Sequence, residues 1–428
     1  MSHSKAGPKW LRLDNTANVY PAIRSRNWSF MFRINGELSE NIDYDMLQQA
    51  VQITTARFPA FAMRLQRGVF WHFLRRIEGA PPVTPDGCCP CEPLRPQENN
   101  GFYFRVAYYK NRVSLDFFHA LSDGAGGMSF FKTLLAEYLT LKYNITVPRD
   151  SVILDCSTAP KPEEYEDSFR KYAGKYSRVP QRDWAYRIRG TRERDGFVHL
   201  TCGMIPVDAV LQKAREKKVT ITQYLVALMI LSIDSVQRRE VSYEKRLKPV
   251  NILVPVNLRG FFPSVTTRNF MGILTPGIDP KRGPYTFDEL LSIVHHYMGF
   301  EATAKNLQGR FTSFVMTEKN PAIRFVPLFL KNPILRLIHQ FSGDRKSCTT
   351  LSNVGSFSLP PVMTPYVPRI DIALGPLSEN PVAFAAMSYE GTLYINATRT
   401  ITDPKIEREF FTNLVKLGIP VKIESNLR

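Results

Sequence analysis

Cysteine is scarce: six residues in 428, three of them crowded into Cys88-Cys89-Pro90-Cys91. Adjacent thiols pair with each other only under strain, so a disulfide framework is excluded and a reducing, cytoplasmic setting is expected. C-C-x-C also lacks the separated cysteine pairs of a zinc site, and no metal is expected. Long apolar runs are missing as well. The longest helical one, from Tyr224 to Val236, is interrupted by Asp234 and falls short of the roughly 20 residues a membrane span needs. The N-terminus MSHSKAGPKWLRLDN has no apolar stretch of the secretory type. Neither a GxxxxGK[ST] loop nor a GxGxxG turn after a strand occurs, which removes nucleotide hydrolysis and dinucleotide binding as motif-based readings.

Acidic residues are the minority charge, 39 against 56 Lys and Arg, leaving +17. Such an excess speeds encounter with anionic partners without choosing among them. It peaks over residues 170–194, where nine basic residues face only Asp183 and Glu193, with Tyr172, Tyr176, Trp184 and Tyr186 interleaved. A solvated linker is the first reading of this stretch, a patch facing cofactor phosphates the second, and a surface for anionic lipid or nucleic acid the third. No specific nucleic-acid partner is expected.

What is present is an ordinary globular balance, 44% hydrophobic and 22% charged, in a chain long enough for more than one domain. Strand-like runs alternate with helix-period segments. WSFMFRI (28–34), GVFWHFLRR, FYFRVAYY (102–109) and RVSLDFF (112–118) read as strands, the last two joined at Lys110-Asn111. Asp45 can cap a helix that must stop before Pro59, and another helix runs from Met128 to Leu141. Pro160, Pro162, Pro180 and the dense charge mark a linker. A second α/β unit follows: a helix capped by Thr220 or Thr222, the buried-type strand VNILVPVNL (250–258), then TTLSNVG, VAFAAMSY, TLYINATR and a last helix over 406–417. The division is a first lobe over 1–155, a basic crossover over 156–195 and a second lobe over 196–428. The segment 322–341, apolar and broken by Pro327 and Pro333, reads first as core or tunnel wall; membrane-surface contact is the second reading, useful for a lipid-like acceptor, and is not the expectation.

Only seven histidines compete for the role of general base. His3, His72, His199, His295, His296 and His339 read as solvated or structural side chains. His119 differs, because HALSDGAGG places it at a strand end before a glycine-rich turn into a helix, where α/β folds project reactive side chains. An H-x-x-x-D-G match would arise by accident in about one such chain in fifty.

HALSDG matches the signature of the chloramphenicol-acetyltransferase-like acyltransferases, and the chain resembles that superfamily over most of its length. WLRLDN near the start with Val19-Tyr20-Pro21, VPVNLR ending at Arg259, NFMG from Asn269 to Gly272 and LSNVG from Leu351 to Gly355 are similar to its alcohol O-acetyltransferase branch. The resemblance implies two α/β lobes, each a mixed β-sheet packed with helices, with a tunnel between them. It implies His119 as general base for attack of an acceptor hydroxyl on the thioester of acyl-CoA, acetyl-CoA above all, with no covalent acyl-enzyme and no tightly bound cofactor. Asp123 could orient His119 as in a hydrolase triad. The resemblance implies instead that it points away and pairs with Arg259, while Gly124 lets the backbone turn tightly. Ser352 and Asn353, with Thr349 and Thr350 nearby, are candidates for holding an oxyanion, although Asn-x-Gly is also plain turn chemistry. The expected partners are acyl-CoA and an alcohol or lipid-like acceptor, acting on a monomer. The alternatives are an amide-forming enzyme with a carrier-bound donor and a non-catalytic binder of the same fold.

Overall fold

The computed structural model describes residues 7–23, 30–87, 89–178, 183–342, 344–376 and 380–426. His3, Cys88, Pro180 and Arg182 lie outside the described residues, as does the side chain of His339. Two mixed sheets carry the molecule. The first has five strands in the order Arg369–Leu374, Met31–Glu37, Arg112–Phe118, Phe104–Tyr109, Val83–Pro85. The second has eight and is centred on Val250–Asn257, Thr349–Ser356, Val382–Tyr389 and Thr392–Arg399. Each sheet packs helices against an apolar face, giving two separate cores. One is built around Phe61, Phe104, Phe117 and Phe130, the other around the Ile221–Glu240 helix.

Local chemistry explains most boundaries. Lys110 takes positive φ at the tight turn between 104–109 and 112–118. Thr220, rather than Thr222, caps the Ile221–Glu240 helix in a reciprocal box with Gln223. Asp43, not Asp45, caps the Tyr44–Arg57 helix, because its carboxylate is the one placed to accept from Met46 N at 3.0 Å. GVFWHFLRR is not one strand: Gly68–Trp71 is the tip of a hairpin between Met63–Arg67 and His72–Arg76. The segment 322–341 departs furthest from expectation. A helix, Leu328–Ser342, runs through Pro333, and Phe325, Phe329, Leu330, Ile334 and Leu337 face solvent instead of forming core. Apolar composition alone does not distinguish an inward from an outward face.

The strand Arg369–Leu374 falls within 196–428 yet pairs antiparallel with Met31–Glu37 of the first sheet. It lies where the two sheets meet. Buried Asp371 accepts from Asn35 of the first sheet and from Asn396 of the second, both at 2.9 Å, and from Arg369 Nε at 3.0 Å. Thr398 and Tyr389 of the second sheet donate to the Leu374 and Val367 carbonyls. Asp371→Leu should therefore strand the Asn35 amide and take one acceptor each from Asn396, which keeps the Ile372 carbonyl, and from Arg369, which keeps Glu424, at a cost of about 1–3 kcal/mol in denaturant unfolding. A loss below about 0.5 kcal/mol would show that this clasp does not join the sheets.

Candidate active site

His119 follows the strand Arg112–Phe118, its amide donating to the Phe30 carbonyl at 3.0 Å. Its ring is packed 5.4 Å from that of Tyr20 and 5.1 Å from that of Phe32, centroid to centroid. Nδ1 lies 3.2 Å from Asn269 Oδ1. The amide orientation is fixed by its other end, where Asn269 Nδ2 donates to the His119 carbonyl at 2.9 Å and to Asp14 Oδ2 at 3.1 Å. Oδ1 must then accept, so Nδ1 carries the proton and Nε2 keeps its lone pair. Burial holds the imidazole below its ordinary pKa, opposed by the Asn269 hydrogen bond and by the charge of Asp123.

Asp123 does not orient that ring. It caps the helix Gly124–Tyr143, Oδ1 accepting from Gly126 N at 3.1 Å. Oδ2 accepts from Phe270 N at 2.7 Å and from Arg259 Nη1 at 2.8 Å. The rest of the Arg259 guanidinium folds the following loop around itself: Nη2 donates to the carbonyls of Thr266 at 2.8 Å and Arg268 at 2.7 Å, and Nε to Thr266 again at 3.1 Å. That loop is pressed onto the HALSDG turn, with Ser122 Oγ donating to the Thr267 carbonyl at 2.6 Å. A methyl at Gly126 would lie 2.0 Å from the same carbonyl oxygen, so only glycine fits there. At Gly124 a methyl would meet nothing nearer than Val354 at 3.6 Å, which puts the carboxyl end of 349–356 against the start of this helix.

The structure thus joins His119, Asp123, Gly124 and Arg259, and it separates the two oxyanion candidates. Ser352 lies opposite Ala385 of the first core, against which Val354 also packs, while Asn353 lies opposite Ala386 of the second. Asn353 Nδ2 donates to Thr222 Oγ1 at 3.0 Å and its Oδ1 accepts from Gly355 N at 3.0 Å. Asn353 ties the strand end to the start of the 221–240 helix, whereas Ser352 is partly exposed with its hydroxyl unpartnered among the described residues. Thr349 Oγ1 is occupied by the Val382 carbonyl at 2.7 Å.

Two residues given no role by the sequence reading are at the centre. Asn269 sets the histidine tautomer. Asp14, fully buried, holds Asn269 and lies 3.7 Å from Arg268; burial pushes its carboxyl up to about 7. The available signal was their place in the NFMG and WLRLDN segments. The basic stretch 170–194 starts against the 259–270 loop, where Tyr172 stacks on Phe270 and donates to the Pro263 carbonyl, and then leads away from it. Arg170 pairs with Glu318 and Arg178 with Glu301. Arg187, Arg189 and Arg192 line a cleft of about 280 Å³ beside Pro381 and Ile401, at the amino end of the strand 382–389 and away from Ser352. Among the described residues no group of three or more His, Cys, Asp and Glu could hold a metal ion.

No family model and no curated protein matches the chain. Solved structures do. TRI101 of F. sporotrichioides, complexed with coenzyme A and T-2, superposes with a TM-score of 0.64 at 11% identity over 97% of this chain and 99% of that one. TRI3 trichothecene 15-O-acetyltransferase from Fusarium sporotrichioides gives 0.55 at 11% over 96% of each. The epimerization domain from the third module of tyrocidine synthetase B gives 0.57 at 9% over 97% and 98%. The chain has the two-lobed mixed α/β fold of the chloramphenicol-acetyltransferase-like acyltransferases and condensation domains.

With Asp123 4% and Arg259 14% exposed in their side chains, removing either partner leaves a buried charge and should cost roughly 3–5 kcal/mol. The double alanine variant should lose less than the sum of the singles in denaturant unfolding. Additivity within about 0.5 kcal/mol would contradict the pairing.

Proposed function

We propose that the chain is an acyltransferase that moves an acetyl or other short acyl group from acyl-CoA to the hydroxyl of an alcohol-type acceptor. The observation that carries this reading is the double contact of Asn269 with His119: its Nδ2 donates to the His119 carbonyl and its Oδ1 faces Nδ1, which assigns the proton to Nδ1 and leaves Nε2 as the neutral acceptor. In the proposed reaction, Nε2 takes the hydroxyl proton while the acceptor oxygen attacks the thioester carbonyl. The tetrahedral intermediate collapses with cleavage of the C–S bond, and the departing thiolate recovers the proton from Nε2. No acyl group is attached to the protein.

Ser352 is the oxyanion donor in this scheme, since its hydroxyl has no partner to surrender. Asn353 positions the strand end. Asp123 and Arg259 hold the turn and the loop together and touch no reacting atom. Two neighbours support the donor class: TRI101 was crystallised with coenzyme A, and TRI3 is a trichothecene 15-O-acetyltransferase.

Free thiol released from acetyl-CoA in the presence of a panel of alcohols tests the assignment, with mass spectrometry of the acylated products. His119→Ala should fold normally and lose at least about 100-fold in rate. The base works only when neutral, and burial lowers its pKa. Activity should therefore be full at neutral pH and fall on acidification with a midpoint below about 6.5. Thiol release that His119→Ala leaves intact would overturn the mechanism. Acetyl-CoA binding with no thiol release for any alcohol would favour a non-catalytic binder.

A further inference from the structure

The helix Leu328–Ser342 inverts the usual distribution of polarity. Its inward stripe includes Leu328 and Lys331, and the lysine is only 4% exposed; its Nζ donates to the Phe70 carbonyl at 2.8 Å and rests 3.4 Å from the Trp71 ring centroid. Its outward side carries Phe329, Leu330, Ile334 and Leu337, which are 51% to 65% exposed. The hairpin tip extends the same surface. Val69 accepts from Leu328 N at 2.9 Å and is 70% exposed, and Phe70 meets Phe325 edge-on at 6.0 Å. A continuous apolar surface of this kind is a contact site rather than scattered exposure.

Basic residues predominate at its border. Residues 319–343 contain Lys319, Arg324, Lys331 and Arg336 with no Asp or Glu, and residues 63–77 contain Arg64, Arg67, Arg75 and Arg76, again with none. Glu78, Glu318 and Asp344 lie just outside the two segments. Lys319, Arg324, Arg64, Arg67 and Arg75 are exposed. A second copy is a poor occupant, because a two-fold contact sets this patch against itself and brings one basic rim onto another. We propose that the hairpin tip and the outward side of the 328–342 helix dock on an anionic lipid bilayer, the aromatic and aliphatic side chains entering the interfacial layer while the rim meets lipid phosphates. The helix also packs against Tyr20–Ile23, and Tyr20 lies 5.4 Å from the His119 ring. The proposal does not rest on the acyl-transfer reading, since vesicle binding is measured without turnover.

The test is flotation of the full chain with phosphatidylcholine vesicles, with and without phosphatidylserine. The protein should float with the anionic vesicles, less with the neutral ones, and less as salt rises. A Phe329→Ser, Ile334→Ser, Leu337→Ser variant alters solvent-facing positions, so circular dichroism and the unfolding midpoint should stay unchanged while binding weakens at least about tenfold. An Arg64→Glu, Arg67→Glu, Arg75→Glu variant leaves the helix untouched and should lose the preference for phosphatidylserine. Failure of the unaltered protein to float, or flotation that both variants retain, would overturn the proposal. So would a dimer in sedimentation velocity that the serine variant abolishes without any vesicle binding, since the face would then belong to a second copy. Capture of an acidic protein partner with no vesicle binding would overturn it in the same way.

Discussion

Asp123 accepts three hydrogen bonds from three different parts of the chain: its own helix start, the Phe270 amide and the Arg259 guanidinium. A carboxylate buried this deeply is tolerable only with its charge met, and Arg259 meets it from 136 residues away. The same guanidinium is committed to the carbonyls of Thr266 and Arg268, so it braces the 259–270 loop from inside. That loop carries Asn269, and Asn269 decides which nitrogen of His119 is free. A structural ion pair and a proton-accepting atom are therefore linked through a single loop, although they do not touch. The dyad geometry of a hydrolase would have required the same carboxylate to do both jobs, and both of its oxygens are already committed.

The polar groups between the sheets follow the same logic. Asp371 joins Asn35 and Asn396 where the strand 369–374 crosses to the first sheet, and Glu164 of the crossover pairs with Arg57 while its carbonyl takes the Thr267 amide at 2.7 Å. Apolar side chains of the second sheet, among them Ala385, Met387, Tyr389 and Tyr394, also enter the first core, but a hydrophobic contact has no direction and would not by itself set one sheet against the other in a fixed register. The directional contacts at the junction do that, and the one from Glu164 holds the loop that carries Asn269.

Much of this was legible in the sequence, for physical reasons that also mark where it stopped. The strands at 104–109 and 112–118 and the helix starting after Thr220 are written in local periodicity and capping, which short windows contain. HALSDG was legible because reactive group, helix cap and glycine turn are contiguous. Asn269 and Asp14 were not, since their roles exist only through contacts 150 and 255 residues distant in the chain. Ser352 and Asn353 could not be told apart until the fold tied Asn353 to Thr222, 131 residues away in the chain, and to Gly355. The crossing of 369–374 was invisible because alternation says that a segment is a strand and not which sheet it joins. The reading of 322–341 as core or tunnel wall missed the outward apolar face of 328–342 for a related reason: Lys331, the one polar residue in its first turn, is turned inward beside Leu328.

The central claim is that His119 is neutral with its proton on Nδ1 and its lone pair on Nε2. Histidine-selective ¹⁵N NMR, with His119 assigned by comparison with a His119→Gln spectrum, reads this directly. The account predicts a protonated Nδ1 and an unprotonated Nε2 at neutral pH, converting to imidazolium only below the ordinary histidine range. The opposite tautomer, or an imidazolium at neutral pH, would contradict it, because Nε2 could then accept no proton.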